Sequence, residues 1–253
     1  MLWFIKMEGC GNDYVFIDCF KAGGGVRPAR DVIIKMSDRN FGIGGDGVVL
    51  ICRSKKPGCD GRMRMFNADG SEGNMCGNAI RCVAKYLYED CGIKKRQMRI
   101  ETRVGEREVE VMVRRGCVVA ARVNMGRPFL DEDRDLVNIG NLHRIIKWDG
   151  AISDVTFAGC QSGDPWNTEF FKVTGDNEIK MRVHERGSGE TMACGTGACS
   201  VAWWAANVEK VCDPRRPILV KMRGGTLTID IAEDGEVYMT GECKKVFEGV
   251  WND

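Results

Sequence analysis

One pattern occurs twice in this 253-residue chain, as SEGNMCGNAIRCVA at residues 71–84 and as GETMACGTGACSVA at residues 189–202. In each copy a Glu stands four residues before a Cys, and a Gly follows the Cys directly. Small residues then lead into apolar residues at helical spacing, which predicts a helix that begins near the Cys. A pattern repeated in this order predicts two related halves, each with the same entrance to a helix.

Short strands are predicted for most of the remaining chain. Its segments are rich in β-branched residues and are bounded by Gly, Asp or Asn, which is typical of strands. Residues 29–40, 78–92 and 197–211 instead carry apolar residues at i, i+3, i+4 and i+7, which predicts helices. Because the last two follow the repeated pattern, we expect each half to hold one long apolar helix among strands. The domain boundary is placed between residues 117 and 118.

The composition argues against nucleic-acid and membrane partners. The formal net charge is +1, so the chain carries no field that would attract a polyanion. Its apolar runs are shorter than a bilayer crossing requires. Lys6 and Glu8 lie where a signal peptide would be apolar, so a cytoplasmic location is expected.

The thirteen cysteines are expected to be reduced thiols. Their number is odd, and the chain is longer than the small secreted domains that depend on disulfides. A structural zinc site would need C-x-x-C pairs or clustered Cys and His, and the repeated segments offer wider spacings than C-x-x-C. No metal is therefore expected.

The two cysteines that begin the predicted helices are candidates for acid–base chemistry. At a helix N-terminus, the unpaired amides and the helix dipole favour a thiolate and can lower a thiol pKa from about 8.5 into the range of roughly 3.5 to 7.5. Cys76 and Cys194 have this setting, whereas Cys82 and Cys199 fall on later, apolar helix positions and are expected in the core. Two such thiols, one on each wall of a cleft, suit racemisation or epimerisation of a carbon centre.

The residues after each cysteine favour an anionic substrate group. Gly77 and Asn78 follow the first cysteine, and Gly195 and Thr196 follow the second. Their backbone N–H groups would lie at helix N-termini, where carboxylates bind. An α-amino acid supplies such a carboxylate, so we expect a small amino-acid substrate.

Five blocks of the sequence resemble the cofactor-independent diaminopimelate epimerase family, in the order in which that family carries them. They are GCGNDYVFID at residues 9–18, DRNFGIGGDGVVLI at residues 38–51, FNADGSEGNMCGNAIRC at residues 66–82, ERGSGETMACGTGAC at residues 185–199 and VYMTG at residues 237–241. The two cysteine blocks are the most specific of the five. Together the blocks span nearly the whole chain.

The resemblance implies an α+β fold of two topologically similar domains, each a strand-rich, barrel-like sheet around a central helix, with the active site in a cleft between them. It implies that residues 242–253 return to an N-terminal domain of residues 1–117, and that residues 118–241 form the second domain. The implied reaction interconverts LL- and meso-diaminopimelate for lysine and cell-wall precursors, without pyridoxal phosphate or another cofactor. A homodimer is implied as well.

The family's site residues are carried over by motif. The acid–base pair would be Cys76 and Cys194, assisted by Glu185 and His143. The substrate would be held, together with the helix entrances, by Asn12, Asn67, Asn141, Asn167 and Arg186. The guanidinium of Arg186 favours a substrate with a second, distant carboxylate, because guanidinium binds carboxylate at two points.

The middle of the chain departs from the family. The family's G-N-P-H element is matched by GNLH at residues 140–143, with Leu in place of Pro. An alternative alignment matches GDPW at residues 163–166 and would leave His143 outside the site. Residues 128–166 form a shortened stretch, and the assignment of Asn167 depends on how that stretch is aligned.

Two other functions stay open at this point. One is a racemase of another amino acid on the same scaffold, for example a histidine racemase. The other is a thiol redox or metal-binding protein. GIGGDG at residues 42–47 formally fits G-x-G-x-x-G, but it follows a helical pattern and precedes a strand, so we predict a turn and no dinucleotide site. His184 lies in an alternating strand pattern and is predicted to be structural.

Overall fold

The computed structural model divides into two compact units. The described residues are 1–20, 28–131, 135–161 and 163–252. The first unit comprises Met1–Val123 and Gly241–Asp253, and the second comprises Asn124–Thr240. The division falls within the strand Cys117–Gly126, whereas the sequence-based boundary lies at the start of that strand.

The first unit contains two helices and most of its strands in a single run of chain. Its elements are β1 (Leu2–Gly9), β2 (Asn12–Asp18), α1 (Arg30–Ser37), β3 (Gly47–Cys52), β4 (Gly61–Asn67), β5 (Glu72–Gly73), α2 (Gly77–Glu89), β6 (Gln97–Thr102), β7 (Gly105–Arg114) and β8 (Cys117–Gly126).

The second unit follows, and the last strand belongs to the first unit again. The elements are β9 (Phe129–Asp131), β10 (Leu136–Asn138), β11 (Leu142–Lys147), a 3₁₀ turn (Ile152–Asp154), β12 (Asn167–Gly175), β13 (Glu178–Glu185), β14 (Gly189–Glu190), α3 (Gly195–Asn207), β15 (Ile218–Met222), β16 (Gly225–Ile231), β17 (Val237–Glu242) and β18 (Lys244–Trp251). Strand β18 pairs antiparallel with β1.

The two units share one order of strand pairing. In the first, β1 and β2 are antiparallel, β2 is parallel to β3, and β3, β4 and β5 pair antiparallel in turn. After α2, β6 lies parallel to β4 and continues into antiparallel β7 and β8. Strands β10 to β17 around α3 repeat this order in the second unit. The predicted α+β fold with two topologically similar halves is confirmed.

Each unit buries its long helix among its own strands. Helix α2 packs against β1, β2, β4, β6 and β7 and is buried from Gly77 to Leu87. Helix α3 packs against six strands of the second unit and is buried from Gly195 to Ala202. Cys82 and Cys199, predicted in the core, are 1% and 0% exposed. No helix in the described part of the chain is long and apolar enough to cross a membrane.

The glycine-rich segment after α1 is a turn, as the sequence predicts. Its amides at Ile43 and Gly44 donate to the carbonyl of Met36, which folds the chain back over the end of α1 before β3 begins. Gly44 has a φ of +80°, in the left-handed region that glycine adopts without strain.

Helix α2 buries one fully enclosed charge, the guanidinium of Arg81, which is 0% exposed. It donates to the carbonyl oxygens of Gly77 at 3.1 Å and Glu242 at 3.2 Å, and to the sulfur of Cys10 at 3.7 Å. These bonds tie the entrance of α2 to Glu242, where the chain has returned to the first unit. A buried charge without such partners would be costly, so these hydrogen bonds are what allows the Arg81 side chain to be enclosed beside α2.

Replacing Arg81 with Met should lower the free energy of unfolding by about 2–4 kcal/mol, because the carbonyl oxygens of Gly77 and Glu242 lose a charged donor. Urea titration monitored by circular dichroism measures the change. Arg114→Met, at an exposed position of β7, is the matched control and should change the free energy by less than about 0.5 kcal/mol. Equal stability of the two variants would contradict a structural role for the Arg81 bonds.

Candidate active site

Both predicted cysteines cap the long helices with their sulfur atoms. Cys76 is the N-cap of α2, and its sulfur accepts a hydrogen bond from the backbone N–H of Ala79 at 3.5 Å. Cys194 is the N-cap of α3, and its sulfur accepts from the N–H of Gly197 at 3.4 Å. A side chain in this position satisfies one of the amides that a helix leaves unpaired at its start. The repeated pattern therefore fixes each sulfur at a helix N-terminus.

The Glu in each repeated pattern pairs with an arginine of the preceding strand. Arg64 in β4 binds Glu72 through Nε at 2.8 Å and Nη2 at 3.0 Å. Arg182 in β13 binds Glu190 in the same two-point way, at 2.7 and 3.0 Å. Each pair ties the segment before a cysteine to the strand that leads into it. The sequence showed the glutamates but not their partners.

In the first unit, Asn12 connects the glycine-rich turn to Cys76. The carboxylate of Asp46 accepts from Nδ2 of Asn12 at 2.5 Å and from the backbone N–H of Asp13 at 3.0 Å. This orientation presents Oδ1 of Asn12 to the Cys76 thiol and to Nδ2 of Asn78, each at 3.2 Å. The turn therefore sets the direction of the thiol through one amide side chain.

In the second unit, polar side chains surround the sulfur of Cys194, which is 5% exposed. The hydroxyl of Thr196 lies 3.5 Å from the sulfur, and Nδ2 of Asn167 donates to it at 3.9 Å. Asn141 in turn donates to the Thr196 hydroxyl at 3.5 Å. These donors can stabilise negative charge on the sulfur.

Glu185, the last residue of β13, accepts a hydrogen bond from the Cys194 thiol and one from the hydroxyl of Thr191 at 2.5 Å. Burial raises the pKa of the Glu185 carboxyl, and the charge of Glu169 adds to that rise, while both hydrogen bonds oppose it. A carboxyl with a raised pKa that already accepts from a thiol is suited to take the thiol's proton.

The pKa of Cys194 differs from the sequence-based expectation. Burial, together with the negative charges of Glu185 and Glu169, holds the pKa of this thiol well above its ordinary value. The bonds from Thr196 and Gly197 act in the opposite direction and are outweighed. The expectation that a helix entrance lowers the thiol pKa is therefore wrong for Cys194, because the thiol is buried and two carboxylates lie near it.

His143 and Glu169 form a buried pair beside this group. Nδ1 of His143 lies 2.7 Å from Oε1 of Glu169, and neither side chain is exposed. Glu169 was missed from the sequence, although a carboxylate inside the apolar strand segment NTEFFKV was a usable signal. The parallel register of β11 and β12 sets His143 opposite Asn167. The histidine of GNLH is thus a buried imidazole beside Glu169.

The remaining predicted residues lie at the surface of their units. Asn67 ends β4, is exposed, and donates from Nδ2 to the hydroxyl of Ser71 at 3.0 Å. Arg186 follows β13 and is exposed. Its backbone N–H donates to Asn167 at 2.9 Å, and its guanidinium donates to the carbonyl of Pro165 at 3.3 Å. Both side chains are exposed to solvent. His184 packs its ring against Phe157 at 5.6 Å, a structural contact.

Comparison with known proteins identifies the family. The family profile for diaminopimelate epimerase matches residues 4–130 and 160–246. The stretch between these ranges, which contains Asn141 and His143, lies outside the match, so the place of these two residues rests on the geometry described above.

Curated relatives agree over the whole chain. The diaminopimelate epimerase of Pelotomaculum thermopropionicum is 39% identical over 281 residues, which covers 97% of each protein. That of Methanococcus maripaludis is 38% identical over 279 residues, which covers 97% of this chain and 98% of the relative.

Solved structures share the fold at low identity. A phenazine biosynthesis protein of the PhzF family from Bacillus anthracis superposes with a TM-score of 0.72 at 17% identity, over 99% of both chains. A hydroxyproline epimerase from Agrobacterium vitis does so with a TM-score of 0.68 at 14% identity, over 98% of this chain and 91% of the other. The profile and the curated relatives go further than the fold: this chain belongs to the diaminopimelate epimerase family.

Proposed function

We propose that this protein interconverts LL- and meso-diaminopimelate by moving a proton off and onto one α-carbon with two thiols, Cys76 and Cys194. The observation that carries the proposal is the doubled helix entrance, in which each unit of a diaminopimelate epimerase family member caps its long helix with a cysteine sulfur. Inversion of a carbon needs one group to remove a proton from one face and another to deliver a proton to the opposite face. The protein is an isomerase.

The substrate's α-carboxylate is bound by backbone amides at the helix entrances. Gly77 and Asn78 begin α2, and Gly195 and Thr196 begin α3. Amides in the first turn point out of the helix, and together with the dipole they attract negative charge. A carboxylate held there also stabilises the charge that develops as the α-proton leaves.

Cys194 acts in both directions with the help of Glu185. As the acid, it gives its thiol proton to the α-carbon, and the thiolate that remains accepts hydrogen bonds from Asn167 and Gly197. As the base, it first passes its proton to Glu185, which already accepts a bond from the thiol, and the thiolate then takes the α-proton. Burial that raises the pKa of Glu185 makes this first transfer less uphill.

Cys76 is oriented by a group that does not titrate. Its thiol donates to Oδ1 of Asn12, and Asp46 fixes that amide from the other side. An amide oxygen directs the sulfur without competing for its proton, so Cys76 is available to exchange its proton with the substrate.

The far end of the substrate is held by exposed polar side chains. Arg186 offers a guanidinium for the distant carboxylate, and Asn67 offers an amide. Asn67 ends the strand that leads into the first cysteine segment, and Arg186 directly follows the strand that leads into the second.

We also propose a cytoplasmic location and a homodimer, and sedimentation equilibrium measures the mass of the assembly.

Solvent deuterium should enter the α-position of LL- and meso-diaminopimelate, and not that of L-histidine, L-lysine or L-proline. The reason is that the exposed guanidinium of Arg186 binds a second, distant carboxylate, which these other amino acids lack. Proton NMR of each amino acid incubated with the protein in deuterium oxide measures the exchange. Exchange into histidine with none into diaminopimelate would overturn the substrate assignment.

Matched cysteine variants control this assay. Cys76→Ala and Cys194→Ala should each lower LL-to-meso turnover by about 10²- to 10⁴-fold, because each removes one of the two proton-transfer groups. Cys117→Ala, which removes an exposed thiol, should keep turnover unchanged. A Cys76 or Cys194 variant with near-normal turnover would exclude the two-thiol mechanism.

Glu185→Gln should lower the pKa of Cys194, because it removes the negative charge that most raises it after burial. In the unchanged protein, Cys194 stays a thiol below its raised pKa, so its alkylation by iodoacetamide should reach half-maximal rate well above the ordinary thiol value of about 8.5. In the variant that midpoint should move to lower pH while turnover falls. Mass spectrometry follows the alkylation of each cysteine.

The exposed Cys117 serves as the reference thiol in the same sample, and its midpoint should not move. A Cys194 midpoint that is unchanged or higher in Glu185→Gln would show that Glu185 does not act on this thiol through its charge.

A further inference from the structure

The buried pair of His143 and Glu169 contains polar atoms that have no hydrogen-bond partner among the described residues. Both side chains are 0% exposed, and one bond of 2.7 Å joins Nδ1 to Oε1. Nε2 of His143 and Oε2 of Glu169 have no hydrogen-bond partner among the described residues. Buried polar groups without partners are costly, so this pair lowers stability relative to an apolar filling.

The first unit shows what the same place in the fold needs for packing alone. Val49 of β3 pairs with Met65 of β4, and Glu169 of β12 pairs with Val183 of β13. Met65 stands as far before Cys76 as Val183 stands before Cys194. Val49 is therefore the residue of the first unit that corresponds to Glu169. Val49 is 0% exposed. A buried valine therefore serves the architecture here, and the carboxylate in the second unit is an addition to it.

A second position changes together with the carboxylate. Gly197 stands three residues after Cys194, where the first unit has Ala79 three residues after Cys76. A Cβ at Gly197 would lie 2.6 Å from Oε1 of Glu169, closer than a real contact allows. Glycine thus leaves the room that the carboxylate occupies. Two independent positions of the second unit are adapted to one carboxylate.

We propose that Glu169 is a positioning residue for His143, which accepts the Nδ1 hydrogen and confines proton exchange by the imidazole to Nε2. A carboxylate only accepts hydrogen bonds, so Nδ1 keeps its hydrogen in both charge states of the ring. In the neutral ring, Nε2 then carries the lone pair. This inference rests on the proposed function, because it assigns His143 a single working nitrogen in the proton transfers at Cys194.

The charged groups around the imidazole explain why one working nitrogen matters. Glu169 approaches from β12, Glu185 lies at the end of β13, and Cys194 lies at the entrance of α3. The charge of Glu169 raises the pKa of the Glu185 carboxyl, and the charge of His143 lowers it. The charges of Glu185 and Glu169 both raise the pKa of the Cys194 thiol. A proton taken up at Nε2 changes the charge beside the reacting thiol without breaking the bond that holds the ring.

Nitrogen-15 NMR of the imidazole rings tests the tautomer directly. The chain has two histidines, so His184 is an internal reference in every spectrum. We expect the neutral His143 ring to be protonated at Nδ1 in the unchanged protein. In Glu169→Gln, the amide can accept from or donate to Nδ1, so both tautomers should appear. Glu178→Gln, a surface carboxylate paired with Lys221, is the matched control and should leave His143 unchanged.

Kinetics tests whether Glu169 acts through His143. Glu169→Gln should lower kcat for LL-to-meso conversion by about 10- to 100-fold with KM changed less than about threefold, as expected for a group that orients a proton-transfer residue. His143→Gln should cost at least as much. The double variant should be no slower than His143→Gln alone, because the carboxylate then has nothing to position.

Two variants separate positioning from folding. Gly197→Ala pushes the Glu169 carboxylate aside without changing a titratable group and should also mix the two tautomers. Glu169→Val with Gly197→Ala installs the first unit's residues at both positions. This double variant should fold with equal or higher thermal stability and still lose kcat.

Three results would each overturn the proposal. They are a neutral His143 protonated at Nε2 in the unchanged protein, a Glu169→Gln kcat equal to that of the unchanged protein, or additive losses of kcat in the double variant that combines Glu169→Gln with His143→Gln. The NMR result does not depend on turnover. If the unchanged protein failed to epimerise diaminopimelate, the proposed function would fall while the tautomer assignment would still be decided by the spectra.

Discussion

A hydrogen bond from the third helical amide to a cysteine sulfur fixes the chemistry of both units. It joins Ala79 to Cys76 and Gly197 to Cys194, and it makes each sulfur part of a helix N-terminus. The sulfur then shares its place with the amides of the first turn, which suit a carboxylate. The two-point Arg–Glu pairs before each cysteine, Arg64 with Glu72 and Arg182 with Glu190, anchor the chain that delivers it. One strand–turn–helix unit, used twice, therefore positions both thiols.

The two copies differ in what surrounds the sulfur. Around Cys76, the thiol donates to the amide oxygen of Asn12, which Asp46 holds in place. Around Cys194 stand two carboxylates and an imidazole, and burial with those charges keeps the thiol protonated. The repeat thus supplies a common architecture, and the second copy adds the groups that manage a proton. Lower stability at buried, unpaired polar atoms is the physical cost of that addition.

Much of this arrangement could be read from the sequence, because it depends on local patterns. The doubled pattern predicts the caps at Cys76 and Cys194, the helices behind them and the core position of Cys82 and Cys199. What it could not give depends on strand register. Arg64 and Arg182 lie eight residues before their glutamates, and this spacing does not by itself predict a contact. The contact forms because β4 pairs antiparallel with β5 and β13 pairs antiparallel with β14. Glu169 reaches His143 only through the parallel pairing of β11 and β12. The pKa of the Cys194 thiol was misjudged because its largest cause, burial of the sulfur, depends on tertiary packing, as does the approach of the Glu169 carboxylate.

Isotope distribution at low conversion tests most directly whether two separate groups handle the α-proton. LL-diaminopimelate is converted in deuterium oxide until a few per cent of product has formed, and the α-position of substrate and product is examined by mass spectrometry. Two thiols predict deuterium at the inverted centre of nearly every product molecule and hydrogen in the recovered substrate, because the delivered proton comes from a different sulfur than the one that removed the original. Product that retains the original hydrogen at that centre would show that a single group removes and returns the proton, and would contradict the two-thiol mechanism.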